Sequence, residues 1–170
     1  MLSSIDRTYT WVLRLMMGLA AVYLGLMMVS IVYATTFRTL GLSYTPYSFV
    51  FIEYGFIYCL MFGSPWIVRQ RGHVFIEILT AAVSAEVRNW LSRLVALICV
   101  LICAVFAFYS GLLALEDIRV DEIDVRGSMD IPRWIVTVTM PLGFGLMAVE
   151  FLRFVVGREI IHSGQAGVHE

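Results

Sequence analysis

From Trp11 to Phe37 the chain is apolar, interrupted only by Arg14 and a few small hydroxylated residues. A bilayer core about 30 Å thick is crossed by about 20 apolar residues in helical form. Inside hydrocarbon every backbone donor and acceptor must be satisfied within the segment, so such a run has to be a helix. This one is longer than crossing requires and allows tilt. Three further runs meet the same requirement, at about 48–68, 91–115 and 134–156. Composition agrees, with 60% hydrophobic and 15% charged residues and a mean hydropathy of +0.85. A soluble domain carries about 25% charged residues. Residues 1–170 therefore read as a single all-α integral membrane domain with four transmembrane helices.

The segments between the runs set the details. Met1–Thr10 is a short polar lead. The apolar run behind it is longer than a signal-peptide core and no small-residue cleavage site follows, so it is expected to stay as the first span. Trp11 and Arg14 sit at its start, where an indole and a snorkelling guanidinium suit the interface. Gly18 and Gly25 lie seven apart on one face and would allow close helix approach. Arg38–Tyr47 is a loop. Gly63-Ser64-Pro65 is expected to kink or loosen the end of the second span, because Pro65 lacks a backbone donor.

Polar residues recur too often between Arg69 and Trp90 for another span. Val74, Phe75, Ile78, Leu79, Ala82 and Val83 share one helical face, and His73, Glu77, Thr80 and Ser84 share the other. That pattern predicts an amphipathic interfacial helix over about 73–84, between the second and third spans. Ser84 with Glu86 behind it predicts a fresh helix start. Residues 116–133 form an acidic loop, holding Glu116, Asp117, Asp121, Glu122, Asp124 and Asp130 against Arg119, Arg126 and Arg133. Pro132 and Trp134 open the fourth span, a favourable place for proline. Residues 157–170 are expected to be a disordered tail.

All 12 basic residues are arginines. Arg7, Arg14, Arg69, Arg71, Arg88, Arg93, Arg153 and Arg158 fall on one side of a four-span arrangement. Arg38, Arg119, Arg126 and Arg133 fall on the other. The positive-inside rule then places the N- and C-termini in the cytoplasm and the acidic loop outside.

Few residues carry readable chemistry. Glu53 is a carboxylate within an apolar span, and such groups face protein, water or a partner charge. A coupling-ion site, a subunit contact and a carboxylate reaching the head groups are all open readings. Glu150 and Arg153, three apart, can pair within their helix or bridge to another subunit. His73, His162 and His169 lie outside the spans, which disfavours membrane haem. Cys59, Cys99 and Cys103 lie in apolar runs without a CxxC pair and read as packing groups. No catalytic or metal-binding motif is present, so neither an enzyme nor a cofactor is expected. A net charge of -1 gives no reason to expect a nucleic-acid partner.

Two stretches carry a family resemblance. Gly63-Ser64-Pro65-Trp66-Ile67-Val68-Arg69-Gln70-Arg71-Gly72-His73-Val74-Phe75-Ile76-Glu77-Ile78-Leu79 resembles the second-span ending of the small membrane subunit of TRAP transporters, the tripartite ATP-independent periplasmic transporters of DctQ-like type. Gly63, Arg69, Arg71, His73, Ile76, Glu77 and Leu79 occupy the family's positions. Ser128-Met129-Asp130-Ile131-Pro132-Arg133-Trp134, followed by Pro141-Leu142-Gly143-Phe144, is similar to its last-span opening and core. Where members often carry an acidic pair, this chain has a single Glu53 about a turn deeper.

The resemblance implies a multi-pass protein of the bacterial inner membrane with no substrate site of its own. It would pack on a large elevator-type membrane subunit that takes up an organic acid with sodium. A periplasmic substrate-binding protein would dock transiently outside, and membrane lipid would surround the rest. Glu53, Arg69, Arg71, Gly72, His73, Glu77, Pro132, Trp134, Pro141, Glu150 and Arg153 are then the candidates for subunit contact or membrane anchoring. The competing reading is a self-sufficient small oligomeric transporter, coupled to protons or cations through Glu53.

Overall fold

The computed structural model describes residues 2–42, 47–70, 84–126 and 129–156. The elements in order are α1 (Leu2–Thr39), α2 (Tyr47–Arg69), α3 (Ala85–Val120), β1 (Ile123–Arg126), β2 (Met129–Pro132), α4 (Trp134–Thr137) and α5 (Thr139–Val156). Four helical stretches are long and apolar enough to cross a membrane: Asp6–Thr39, Ser48–Arg69, Asn89–Val120 and Trp134–Val156. The expected interfacial helix over 73–84 and the expected tail lie outside the described residues, apart from Ser84. Ser84 does stand as the N-cap of α3, but its side chain makes no capping hydrogen bond.

Several local expectations change. The polar lead is part of the first helix, because α1 is helical from Leu2. The acidic segment is not a loop from its start, since Glu116–Val120 complete α3. Asp121 then turns the chain with φ 51, a left-handed conformation that Asp tolerates better than most side chains, and its N–H caps the Asp117 carbonyl. An antiparallel hairpin follows, pairing Ile123 with Pro132 and Asp124 with Ile131. The all-α reading omitted it. The alternation Ile123-Asp124-Val125, with Gly127-Ser128 before Met129, is a short hairpin signal hidden by the charges around it.

The two prolines within spans have different effects. Pro65 does not break α2, which runs on to Arg69. A proline at 65 cannot donate to the Met61 carbonyl, and Gly143 of α5 sits against that same carbonyl. A Cβ added at Gly143 would stand 2.9 Å from Met61 O and 2.8 Å from Met61 Cβ. The gap left by Pro65 is thus where a second backbone comes close. Pro141 likewise cannot donate to the Thr137 carbonyl, and the helix is interrupted at Val138, between α4 and α5. There the Thr139 hydroxyl donates to Val136 O at 2.7 Å, which satisfies one carbonyl beside the break.

The helices pack in a row rather than a closed bundle. α1 lies along α2, α2 along α5, and α5 along α3; among the described residues α3 packs chiefly on α5. The α1–α2 seam is narrow. Leu13, Ala20 and Met27, seven apart, are its buried residues on α1, a coiled-coil-like spacing. Gly55 admits the Tyr23 ring and the Met27 sulfur, with no space for a Cβ, whereas Gly18 and Gly25 face open space. The two glycines expected to mediate packing therefore meet no neighbouring helix among the described residues. A second core joins α2, α3 and α5 through Val68, Ala96, Cys103, Met147 and Phe154. Only 11% of the apolar stretch of α1 is buried, and 17% of that of α3.

Candidate functional site

The seven-residue spacing on α1 extends backwards from Leu13 to Asp6. That register points Asp6 along the seam toward the ends of α2 and α5, where Arg69, Glu150 and Arg153 lie. Arg69 donates from Nη1 to Glu150 Oε1 at 3.2 Å. Its Nη2 reaches Thr10 Oγ1 at 2.6 Å and Asp6 Oδ1 at 3.4 Å. The Thr10 hydroxyl in turn donates to the Asp6 carbonyl one turn back. The guanidinium also stands over the Tyr9 ring, 5.7 Å from its centroid. Arg153 Nη1 closes the network, 2.8 Å from Asp6 Oδ1 and 3.9 Å from Glu150 Oε1.

Burial divides these groups into two kinds. The Glu150 side chain is 2% exposed and Arg69 17%, while Asp6 and Arg153 are 51% and 44% exposed. A buried unpaired carboxylate is costly, so Arg69 is what permits Glu150 at that depth. The Asp6–Arg153 pair is solvent-screened and contributes little to stability. Glu150 and Arg153 do approach within their own helix, but the nearer partner of Glu150 is on α2.

A second polar cluster sits at the opposite end. Arg133, between β2 and α4, lies 3.6 Å from buried Asp117 and 3.5 Å from Glu122. Its backbone N–H also donates to Glu122 O at 2.9 Å. Tyr54 Oη of α2 donates to Asp124 Oδ2 at 2.7 Å, and Tyr58 Oη to Ile135 O at 3.3 Å. These contacts fasten the hairpin to α2 and α3.

The structure thus brings three of the sequence candidates together, Arg69, Glu150 and Arg153. Glu53 is apart from them, exposed on α2. Pro132 pairs in the hairpin, Trp134 starts α4, and Pro141 packs near Gly111 of α3. Arg71, Gly72, His73 and Glu77 lie outside the described residues. Asp6, Tyr9, Thr10, Tyr54 and Asp117 were missed. Asp6 was within reach of the sequence, through the heptad of buried α1 residues. Asp117 and Tyr54 depend on contacts that no local pattern encodes.

The family model described as Tripartite ATP-independent periplasmic transporters, DctQ component, matches residues 27–159. No curated protein and no solved structure matches the chain. The matched region holds Arg69, Glu150, Arg153 and the whole hairpin cluster, while Asp6 and Thr10 precede it. With most of its length matched and four helices able to span a membrane, the chain belongs to the DctQ family, the small membrane component of the tripartite ATP-independent periplasmic transporters.

Proposed function

We propose that this chain is the non-catalytic scaffold subunit on which a large elevator-type membrane subunit moves during sodium-coupled uptake of an organic acid delivered by a periplasmic binding protein. Beyond family membership, the observation that carries this reading is the open row of helices. Among the described residues, a row of four leaves each outer helix packed mainly on one spanning neighbour and most of its apolar surface unmatched by protein. In a bilayer that surface is available to lipid or to a larger partner, and close association there depends on packing and polar contacts rather than hydrophobic burial. The ion network and the hairpin clamp would hold the row as a rigid unit, as a static scaffold requires.

In this reading the protein lies in a bacterial inner membrane. The Arg69–Glu150 end faces the cytoplasm, by the arginine distribution, and the hairpin faces the periplasm. The interfacial segment over 73–84 resists vertical displacement, and Arg71, Gly72, His73 and Glu77 belong to that anchor. Glu53, Pro132, Trp134 and Pro141 are the remaining contact candidates.

Co-purification with the large membrane subunit, together with uptake in a strain lacking this chain, tests the proposal. A stable complex and loss of organic-acid uptake on deletion are expected. No complex, with uptake intact, would sink it. Arg71→Glu or His73→Ala is expected to lower the yield of the complex while leaving substrate affinity of the remaining complex unchanged. Flux through liposomes holding this chain alone, abolished by Glu53→Gln, would instead establish the self-sufficient transporter.

A further inference from the structure

A cavity of about 770 Å³ opens at the end of the row where α1 begins and α2 and α5 finish, lined by the four charged residues of the network and by apolar residues of α5. Among the described residues that line it the charges sum to zero, two guanidinium groups against two carboxylates. Among the described residues the ion pairs of Asp6 all fall on Oδ1, those of Glu150 all on Oε1, and Arg153 uses Nη1 for both of its own. Asp6 and Arg153 are each about half exposed at the cavity, so a carboxylate oxygen and the rest of a guanidinium fork remain to meet a ligand. On α5, Val149 lies one turn before Arg153 and Leu152 beside it, each 47% exposed, while Val156, 79% exposed, lies beyond Arg153 at the helix end. A polar rim above an apolar wall, at the end of the spanning helices, is the geometry of a head group with its acyl chains.

The balance of charge selects the head group. A purely anionic one would meet Asp6 and Glu150 as well as the arginines. A zwitterion matches both signs, phosphate on Arg153 and cation on Asp6. A primary ammonium donates three hydrogen bonds to carboxylate oxygens, whereas a trimethylated one donates none. We propose that this cavity binds a phospholipid with a phosphoethanolamine head group, its phosphate on Arg153, its ammonium on Asp6 and its chains along Val149 and Leu152. The site goes beyond the scaffold role and is independent of it, since it is complete within this chain.

The test is native mass spectrometry of the delipidated full-length protein with dioleoyl phosphatidylethanolamine, phosphatidylcholine or phosphatidylglycerol, and with free phosphoethanolamine. The wild type is expected to hold the ethanolamine lipid about tenfold more tightly than the choline lipid, the scale of one charge-assisted hydrogen bond. Asp6→Asn is expected to erase that preference. Arg153→Gln is expected to weaken both lipids roughly tenfold. Arg38→Gln, at the far end of α1, is expected to change nothing. Equal retention of the two zwitterionic lipids, a preference for the glycerol lipid, or a preference that survives Asp6→Asn would overturn the proposal. So would competition by free phosphoethanolamine at equal concentration, which would place the affinity in the head group without the lipid. No retention of any lipid, as when residues 157–170 fill the cavity, overturns it too. Should Arg153→Gln fail to fold, Asp6→Asn decides, because Asp6 is half exposed and weakly coupled to stability.

Discussion

At the scale of single residues, burial separates groups that look alike in the sequence. Glu53 and Glu150 are both carboxylates in apolar runs, yet only Glu150 is buried against an arginine of another helix. Glu150→Gln leaves Arg69 without its buried counter-charge and is expected to cost about 3–5 kcal/mol, measured by reversible unfolding in mixed micelles. The double variant Arg69→Met with Glu150→Leu is expected to recover most of that loss, because no buried charge is then left unpaired. Asp6→Ala is expected to cost far less in the same assay, because its ion pairs are solvent-screened. The glycines divide in the same way. Gly143→Ala would push a methyl group into the Met61 backbone and is expected to cost about 1–3 kcal/mol, whereas Gly18→Ala and Gly25→Ala meet open space and are expected to cause no loss in the isolated chain. Small size was visible in the sequence for all of them. Which ones a neighbouring helix approaches was not.

At the scale of elements, the hairpin is the part whose anchoring can be isolated. Its two strands are four residues each, too short to stand alone in water. It is held from outside, by Tyr54 on Asp124 and by Arg133 across Asp117 and Glu122. Tyr54→Phe is expected to raise amide exchange across 122–132 by roughly tenfold, the loss of about 1–1.5 kcal/mol, while exchange in α5 stays the same. Equal acceleration in both would show that the hairpin and the helices open as one unit. The helices themselves were largely legible, because each long apolar run has one backbone solution in a bilayer. Their ends were less so. Residues 116–120 looked like loop and 2–10 like a polar lead outside the span, but both are helical, since α1 and α3 outrun the hydrocarbon. At 38 residues, α1 is roughly 57 Å long against a core of about 30 Å.

At the scale of the whole molecule, the row of helices makes stability depend on company. α1 is held by one apolar seam and the charged network at its start, and α3 by α5. A partner that covers the exposed faces of the folded chain and does not bind the unfolded one must raise its apparent stability. Co-expression with the large subunit is expected to raise the midpoint of thermal unfolding of this chain by several degrees, read by fluorescence-detected gel filtration after heating. An unchanged midpoint in a formed complex would mean that the partner leaves α1 and α3 uncovered.

The sequence alone determined the four spanning helices and the family, because a bilayer imposes its demand locally and along the chain. A run of apolar residues either spans or it does not, and a motif is read in order. Only the tertiary structure decided which charges meet, which glycines pack and that the helices form a row. Arg69 and Glu150 stand 81 positions apart, Tyr54 and Asp124 stand 70 apart. Contacts at that separation are fixed by how helices pack side by side, where small differences in side-chain shape choose among many arrangements that satisfy the bilayer equally well.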